Sequence, residues 1–267
     1  MMGNLRDVGH RLRCPSGGDE QPQDGYDREF TKRTRDHKEV FDFIDPDLGV
    51  ADIQIGRFRV ARRVRSVTDW SGPVRIGEDG AVEFRTTDQL QAGLAEVERS
   101  PIDNGTLELI VRRPAVDERE VLDEAALGTT EGLVGDSWNQ RGSSQADDGG
   151  PHPYMQLTII NSRFLALIAC DPERMALAGD QLAVDLSLGS DDLPPWSLLR
   201  IGDTVIEVTD QPHTGCAKFT KRFGLDAFHF LKTDVGQAMN LRGIYARVVV
   251  PGTIRRGDRI RVERPSG

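Results

Sequence analysis

From Gly105 onward the chain reads as a run of short strands cut by tight turns, and this punctuation narrows the folds open to it. Residues 106–112 and 155–160 are apolar stretches of strand length. Leu182, Val184 and Leu186 alternate as in a half-buried strand, and residues 242–250 supply another. Residues 201–208 and 254–262 each place a Gly-Asp turn ahead of an alternating strand. Helical signals between them are short. One follows Asn161 and carries Phe164, Leu165 and Ile168; a second opens at Asp171 and Pro172 and stops at Gly179. Six or more short strands with so little helix predict a mainly β chain with short helices (α+β), closed or nearly closed into a β-barrel. The helices are too few for a strict βαβ repeat. Residues 141–153 are expected to form a flexible loop.

The chain changes character near residue 86. Residues 1–40 are rich in Arg, Asp, Gly and Gln and poor in large apolar side chains, so they are expected to be disordered. Residues 41–105 form a less defined extension. Ile53, Ile55, Phe58 and Val60 suggest a strand whose phase slips at Gly56. Val74-Arg-Ile76 and Ala81-Val-Glu-Phe84 flank a hairpin turn at Gly77-Glu-Asp-Gly80. Asp88 is expected to cap a short helix with Leu90, Leu94 and Val97 on one face.

Bulk properties exclude several function classes. No apolar run reaches the roughly 18 to 20 residues that cross a bilayer, and residues 1–10 have no apolar signal-peptide core, so a cytoplasmic protein is expected. A net charge of −9 argues against a nucleic-acid partner, whose phosphates demand clustered Lys and Arg. Cys14, Cys170 and Cys216 are odd in number and far apart; they make neither a disulfide framework nor a CxxC-type zinc site.

Cys216 is the strongest candidate for chemistry. It sits in Gln211-Pro-His-Thr-Gly-Cys-Ala-Lys-Phe-Thr-Lys-Arg-Phe-Gly224, after a strand-like run and before a basic, helix-forming segment. That order places the thiol at a helix N-terminus, near Lys218, Lys221 and Arg222. Both influences favour the thiolate, which attacks electrophiles and binds soft metals. A small buried hydrophobe is the competing interpretation.

The ordered set Gly132-Leu-Val-Gly-Asp136, Gly179-Asp-Gln-Leu-Ala-Val-Asp-Leu186, Leu193-Pro194, Ile201-Gly-Asp203, Gly215-Cys-Ala-Lys-Phe219, Arg222-Phe-Gly224, Leu241-Arg-Gly243 and Gly252-Thr-Ile-Arg-Arg-Gly-Asp258 resembles a MOSC domain. That family is named for the C-terminal domain of molybdenum cofactor sulfurases. The resemblance covers roughly residues 106–264 and leaves 1–40 as a tail and 41–105 as an extension. It implies a barrel of the pyruvate kinase insert-domain type with a cysteine at the mouth of a pocket. It further implies a sulfur carrier or transferase, or a molybdenum cofactor-dependent reductase of N-hydroxylated compounds, with the cysteine thiolate on the metal. Cys216 matches that cysteine, and Arg242 matches a pocket arginine that contacts the cofactor. Cofactor-binding relatives follow this arginine with Pro-Asn, whereas this chain has Gly243-Ile244. The chain lacks the aminotransferase-like domain in which sulfurases hold pyridoxal phosphate, so that cofactor is not expected.

Around Cys216 each candidate has a structural alternative. His213 is either a base or ion-pair partner for the thiol, or a loop cap. Lys218 and Arg222 either anchor an anion or are solvated helix charges. Arg242 either grips a phosphate or pterin in a bidentate way or pairs with a carboxylate. Asp136, Asp180, Asp185, Asp203 and Asp258 sit in turns or at strand edges, where Asp bonds its own backbone. His152 lies in the loop that could close over the pocket, and Trp70, Trp138 and Trp196 are scattered. Two function classes follow. One is an enzyme or carrier acting through Cys216, with a sulfur-donor or electron-transfer protein as partner. The other is a non-catalytic barrel that binds an anionic small molecule or a partner protein.

Overall fold

The computed structural model describes residues 84–143, 146, 148–215 and 217–266, with the backbone alone of β1 (Arg62–Val64). The chain divides into two compact units, Met1–Asp52 and Ile53–Gly267. The first unit lies outside the described residues, as do the expected tail, the strand near Ile53 and most of the hairpin around Gly77.

After helix α1 (Thr87–Glu98) come β2 (Gly105–Arg112), β3 (Arg119–Leu122), β4 (Glu124–Gly128), β5 (Gly132–Leu133) and β6 (Leu157–Asn161). Helix α2 (Ser162–Ala169) leads by a 3-10 turn, Pro172–Ala178, to β7 (Leu182–Asp185), β8 (Leu198–Ile201) and β9 (Thr204–Val208). Three short helices follow, α3 (Ala217–Phe223), α4 (Leu225–Phe230) and α5 (Asp234–Ala238). The chain ends on β10 (Ile244–Val250), β11 (Gly252–Arg255) and β12 (Arg259–Glu263).

Seven strands close into a barrel in the order β2-β12-β8-β9-β10-β6-β7, with β7 returning to β2. Every pairing in this ring is antiparallel except β6 with β7, whose parallel register needs the α2 crossover. β2 gives its first residues to β12 and its last to β3, which carries β1 on its other edge. A separate three-stranded sheet runs β11-β4-β5. The expected mainly β barrel with few short helices is what the chain forms.

Strand periodicity explains two cores. Leu157 and Ile159 of β6 and Leu182 and Val184 of β7 point into the barrel, while Ile160 and Ala183 point out. The outward residues are covered by Leu90 and Leu94 of α1, Phe164 of α2 and Phe219 of α3. Thus β7 is buried on both faces, not half-buried as its alternation suggested, because helices roof it. Each large side chain so enclosed contributes about 1.5 to 3 kcal/mol.

Caps set the helix positions. Asn161 accepts the Phe164 N–H (2.9 Å), and Asp171 accepts that of Glu173 (2.8 Å). Gly179 ends the 3-10 turn at φ +80°. Asp88 does not cap α1; it lies in the first turn, and Thr86 is the cap, exchanging bonds with Gln89 in a capping box. Gly202 and Asp203 make the β8–β9 hairpin. The second Gly-Asp turn, however, joins strands of different sheets, since β11 pairs with β4 and β12 with the barrel. No helix among the described residues is long and apolar enough to cross a membrane.

Candidate functional site

A cavity of about 400 Å³ opens beside the barrel strands β6 and β10, and Arg113, Trp138, Arg141, His152, Thr158 and Tyr245 contribute to its wall. Thr158 comes from β6 and Tyr245 from β10. Arg113 leaves the end of β2; Trp138 begins a 3-10 turn, Trp138–Gln140, and Arg141 caps its far end. His152 stands at the head of another such turn, where its Nδ1 accepts the Tyr154 N–H (3.3 Å). The size suits a small molecule.

Asp136 organises this wall. Its side chain is wholly enclosed. One carboxylate oxygen accepts the backbone N–H (2.9 Å) and Nε (2.8 Å) of Arg113. The other accepts Arg113 Nη2 (2.9 Å) and the Trp138 N–H (2.9 Å). Arg113 also donates from Nη1 to the Gly179 carbonyl (2.9 Å). Arg141 stands 3.6 Å from the same carboxylate, and burial, followed by the nearby Arg113, lowers its pKa. Asp136 thus forms a buried junction, more than the self-bonded turn residue its sequence position suggests.

Behind Tyr245 lies a second polar group. Arg242 directs Nη1 at both oxygens of Asp180 (3.0 and 2.9 Å), and its guanidinium carbon sits 5.2 Å from the Phe219 ring centre. Arg242 Nε is buried without a hydrogen-bond partner. The His213 ring centre is 4.5 Å from that of Tyr245, and His213 Nδ1 is 3.9 Å from Asp180. That distance would be an ion pair only with a charged imidazole. Burial, then the charges of Arg242 and Arg113, hold the His213 pKa well below its ordinary value, so the ring is neutral and Nδ1 has no hydrogen bond. A neutral ring can accept a proton or a hydrogen bond, but it does not supply a standing cation.

Gly243 follows at φ +100°, where a Cβ would stand 2.2 Å from the Ile159 carbonyl oxygen. Proline, locked near φ −65°, cannot take this conformation. The Gly243-Ile244 departure therefore has a local backbone cause, and the Arg242 side chain is seated by Asp180 and Phe219 instead.

Of the described sequence candidates, His213, Lys218, Arg222 and Arg242 are not among the cavity's lining residues. Lys218 and Arg222 both occupy α3, and both bind Asp117 Oδ1 (2.9 Å each). The Lys218 hydrogen bond, with the charges of Lys218 and Arg222, lowers the Asp117 pKa against the effect of burial. Arg222 further donates to the Leu177 carbonyl (2.9 Å). Cys216 lies outside the described residues; its chain neighbour Ala217 is the first residue of α3. Cys170 caps the end of α2, with Sγ 3.8 to 3.9 Å from two backbone carbonyls. Among the described residues no group of three or more His, Cys, Asp or Glu is arranged to hold a metal.

Sequence inspection missed Arg113, Arg119 and Arg141. Arg119 is buried with Nε unpartnered, and burial, then Arg222 and Arg113, push its pKa down to about 10. It remains protonated at neutral pH. The only sequence signal was the Gly132-Leu-Val-Gly-Asp136 motif, whose aspartate turns out to gather arginines from elsewhere in the chain.

No curated protein matches the chain. Solved structures similar to it include the YUAD protein from Bacillus subtilis, at 15% identity and a TM-score of 0.46 over 61% of this chain and 97% of that one. YiiM from Escherichia coli is 18% identical with a TM-score of 0.39, over 61% of this chain and 71% of its own. YiiM from Geobacillus stearothermophilus is 16% identical with a TM-score of 0.39, over 60% and 75%. Residues 171–261, which run from the start of the 3-10 turn into β12 and include His213, Cys216 and Arg242, match the family model described as MOSC domain, and over that stretch the chain carries a MOSC domain.

Proposed function

We propose that this chain handles sulfur or the molybdenum cofactor through a reactive Cys216 thiolate, with a small anionic ligand held in the cavity beside β6 and β10. The observation that carries this reading is the contact between His213 and Tyr245: the segment leading into Cys216 packs against a cavity-lining ring, 4.5 Å centre to centre. The cavity wall is cationic, and no Asp or Glu among the described residues lines it. Arg242 and Arg119 also carry buried Nε donors without a partner, but neither residue lines the cavity.

If the cofactor is the ligand, the arginines of the wall are the residues to face its charged parts, with Arg113 held in place by Asp136. Bound there, the group would supply a redox-active metal for which a thiolate is a soft ligand. With no metal-binding cluster among the described residues, Cys216 is left as the candidate protein ligand. If sulfur is the cargo, the Cys216 thiolate attacks the outer sulfur of a donor persulfide. The new S–S bond forms as the old one breaks, and the donor leaves as a thiolate. His213 lies three residues before Cys216, but its lowered pKa makes it a weak acceptor for the thiol proton. The competing reading is a barrel that binds an anionic molecule without chemistry at the thiol; it tolerates serine at position 216.

Iodoacetamide labelling across pH, followed by peptide mass spectrometry, separates the two. An activated Cys216 labels with a midpoint below the ordinary thiol value of about 8.5. A midpoint at or above that value removes the thiolate role. Metal and persulfide content of chain purified from its own host then identifies the cargo.

A further inference from the structure

We infer that Arg141 is the ligand-binding arginine of the cavity, anchoring a phosphate or carboxylate group on a small molecule whose body lies against Trp138, His152 and Tyr245. This rests on the cavity being the ligand site of the reading above, but not on Cys216. Two arginines, Arg113 and Arg141, line the cavity, and they share one carboxylate, Asp136.

A carboxylate has room for about four hydrogen bonds, and those of Asp136 are all taken: three by Arg113 and one by the Trp138 N–H. Arg113 is correspondingly used up, since its last nitrogen donates to the Gly179 carbonyl. Arg141 makes no hydrogen bond to Asp136 at 3.6 Å, and its one bond among the described residues runs from Nε to the Ser137 carbonyl at 3.3 Å. Its side chain is 48% exposed, unlike that of Arg113, at 11%.

One positive charge is left over at the wall, on the arginine whose terminal nitrogens make no hydrogen bond among the described residues. A planar guanidinium so placed suits an oxyanion, which it can hold through paired, charge-assisted hydrogen bonds. Trp138, His152 and Tyr245 in the lining favour a ligand with an apolar or aromatic body beside its charge. Arg141 precedes the 171–261 family match, so that match assigns it nothing.

Isothermal titration with phenyl phosphate tests the assignment. Saturable binding is expected for the unmodified chain and for Cys216→Ser alike, so a failed thiol hypothesis leaves this result intact. Arg141→Gln should weaken binding by about tenfold to a hundredfold with an unchanged melting temperature. Should that variant fold poorly, Arg141→Lys replaces it; it keeps the charge but not the fork and should bind several-fold less tightly. Equal affinity in the folded variant and the unmodified chain, or no saturable binding by the unmodified chain, overturns the inference.

Discussion

A neutral imidazole enclosed between two arginines and an aspartate makes His213 a measurable feature of stability. Its neighbours are Asp180 at 3.9 Å, Tyr245 against its ring, and the charges of Arg242 and Arg113. The unfolded chain takes up a proton at this side chain near pH 6.5, whereas the fold resists until well below that. Between those two points the unfolded state binds more protons, so stability rises with pH and is complete above about 6.5. Acidification through that window should therefore destabilise the protein, with a slope from this group of up to about 1.4 kcal/mol per pH unit. Denaturant melts of the unmodified chain and His213→Gln between pH 5 and 7.5 check it: the variant should show the shallower dependence. Parallel slopes would mean that His213 takes its proton in the fold. The same enclosure bears on Arg242, for which the sequence left two roles open. Its Asp180 partner is buried, so removing either member strands a charge, at a cost of about 3 to 5 kcal/mol. A loss of ligand binding in an Arg242 variant thus needs a stability measurement beside it.

At the scale of elements, the entry to β10 shows how backbone conformation decides residue choice. Gly243 stands at φ +100° against the Ile159 carbonyl of β6, the strand that pairs with β10. A methyl there meets both an unfavourable conformation and a carbonyl oxygen. Gly243→Ala should cost at least about 1 to 3 kcal/mol in urea unfolding and shift Tyr245 and His213 at the cavity. An alanine variant as stable as the parent would place this turn in another conformation. Elements with strong local signals were legible in the sequence: α2 through its Asn161 cap and Phe164 face, and the β8–β9 hairpin through Gly202-Asp203. Those missed had weak ones. β4 contains Ala125 and Ala126, poor strand formers, and β5 is two residues long. The cavity wall was hidden for a different reason. Arg113, Asp136 and Arg141 are ordinary charged residues in sequence, and only the ends of β2, the Trp138 turn and β10 bring them to one place.

For the whole molecule, the feature no local pattern reveals is closure. Six or more short strands pointed to a barrel, but which strands meet is fixed by distant partners: β2 joins β12 at Gly105 and Thr106, and β7 along Thr106–Ile110. Gly105 permits this approach, since a Cβ there would lie 2.7 Å from the Asp185 carbonyl oxygen. The last strand is consequently not a dispensable edge. β12 bridges β2 and β8, and its Ile260 is fully buried in the barrel core. Deleting residues 259–267 would leave β2 and β8 with unpaired edges and open the core to water. Because the ring shares one interior, the damage should spread through all seven strands instead of staying at the C-terminus. The truncated chain should therefore lose its cooperative thermal transition by circular dichroism. Loss of the β2–β8 closure also removes the seat of Arg113 at the end of β2, so phenyl phosphate binding should vanish with the transition. A truncated chain that melts cooperatively near the parent temperature would mean that the sheet is stable open and that β12 only covers its edge.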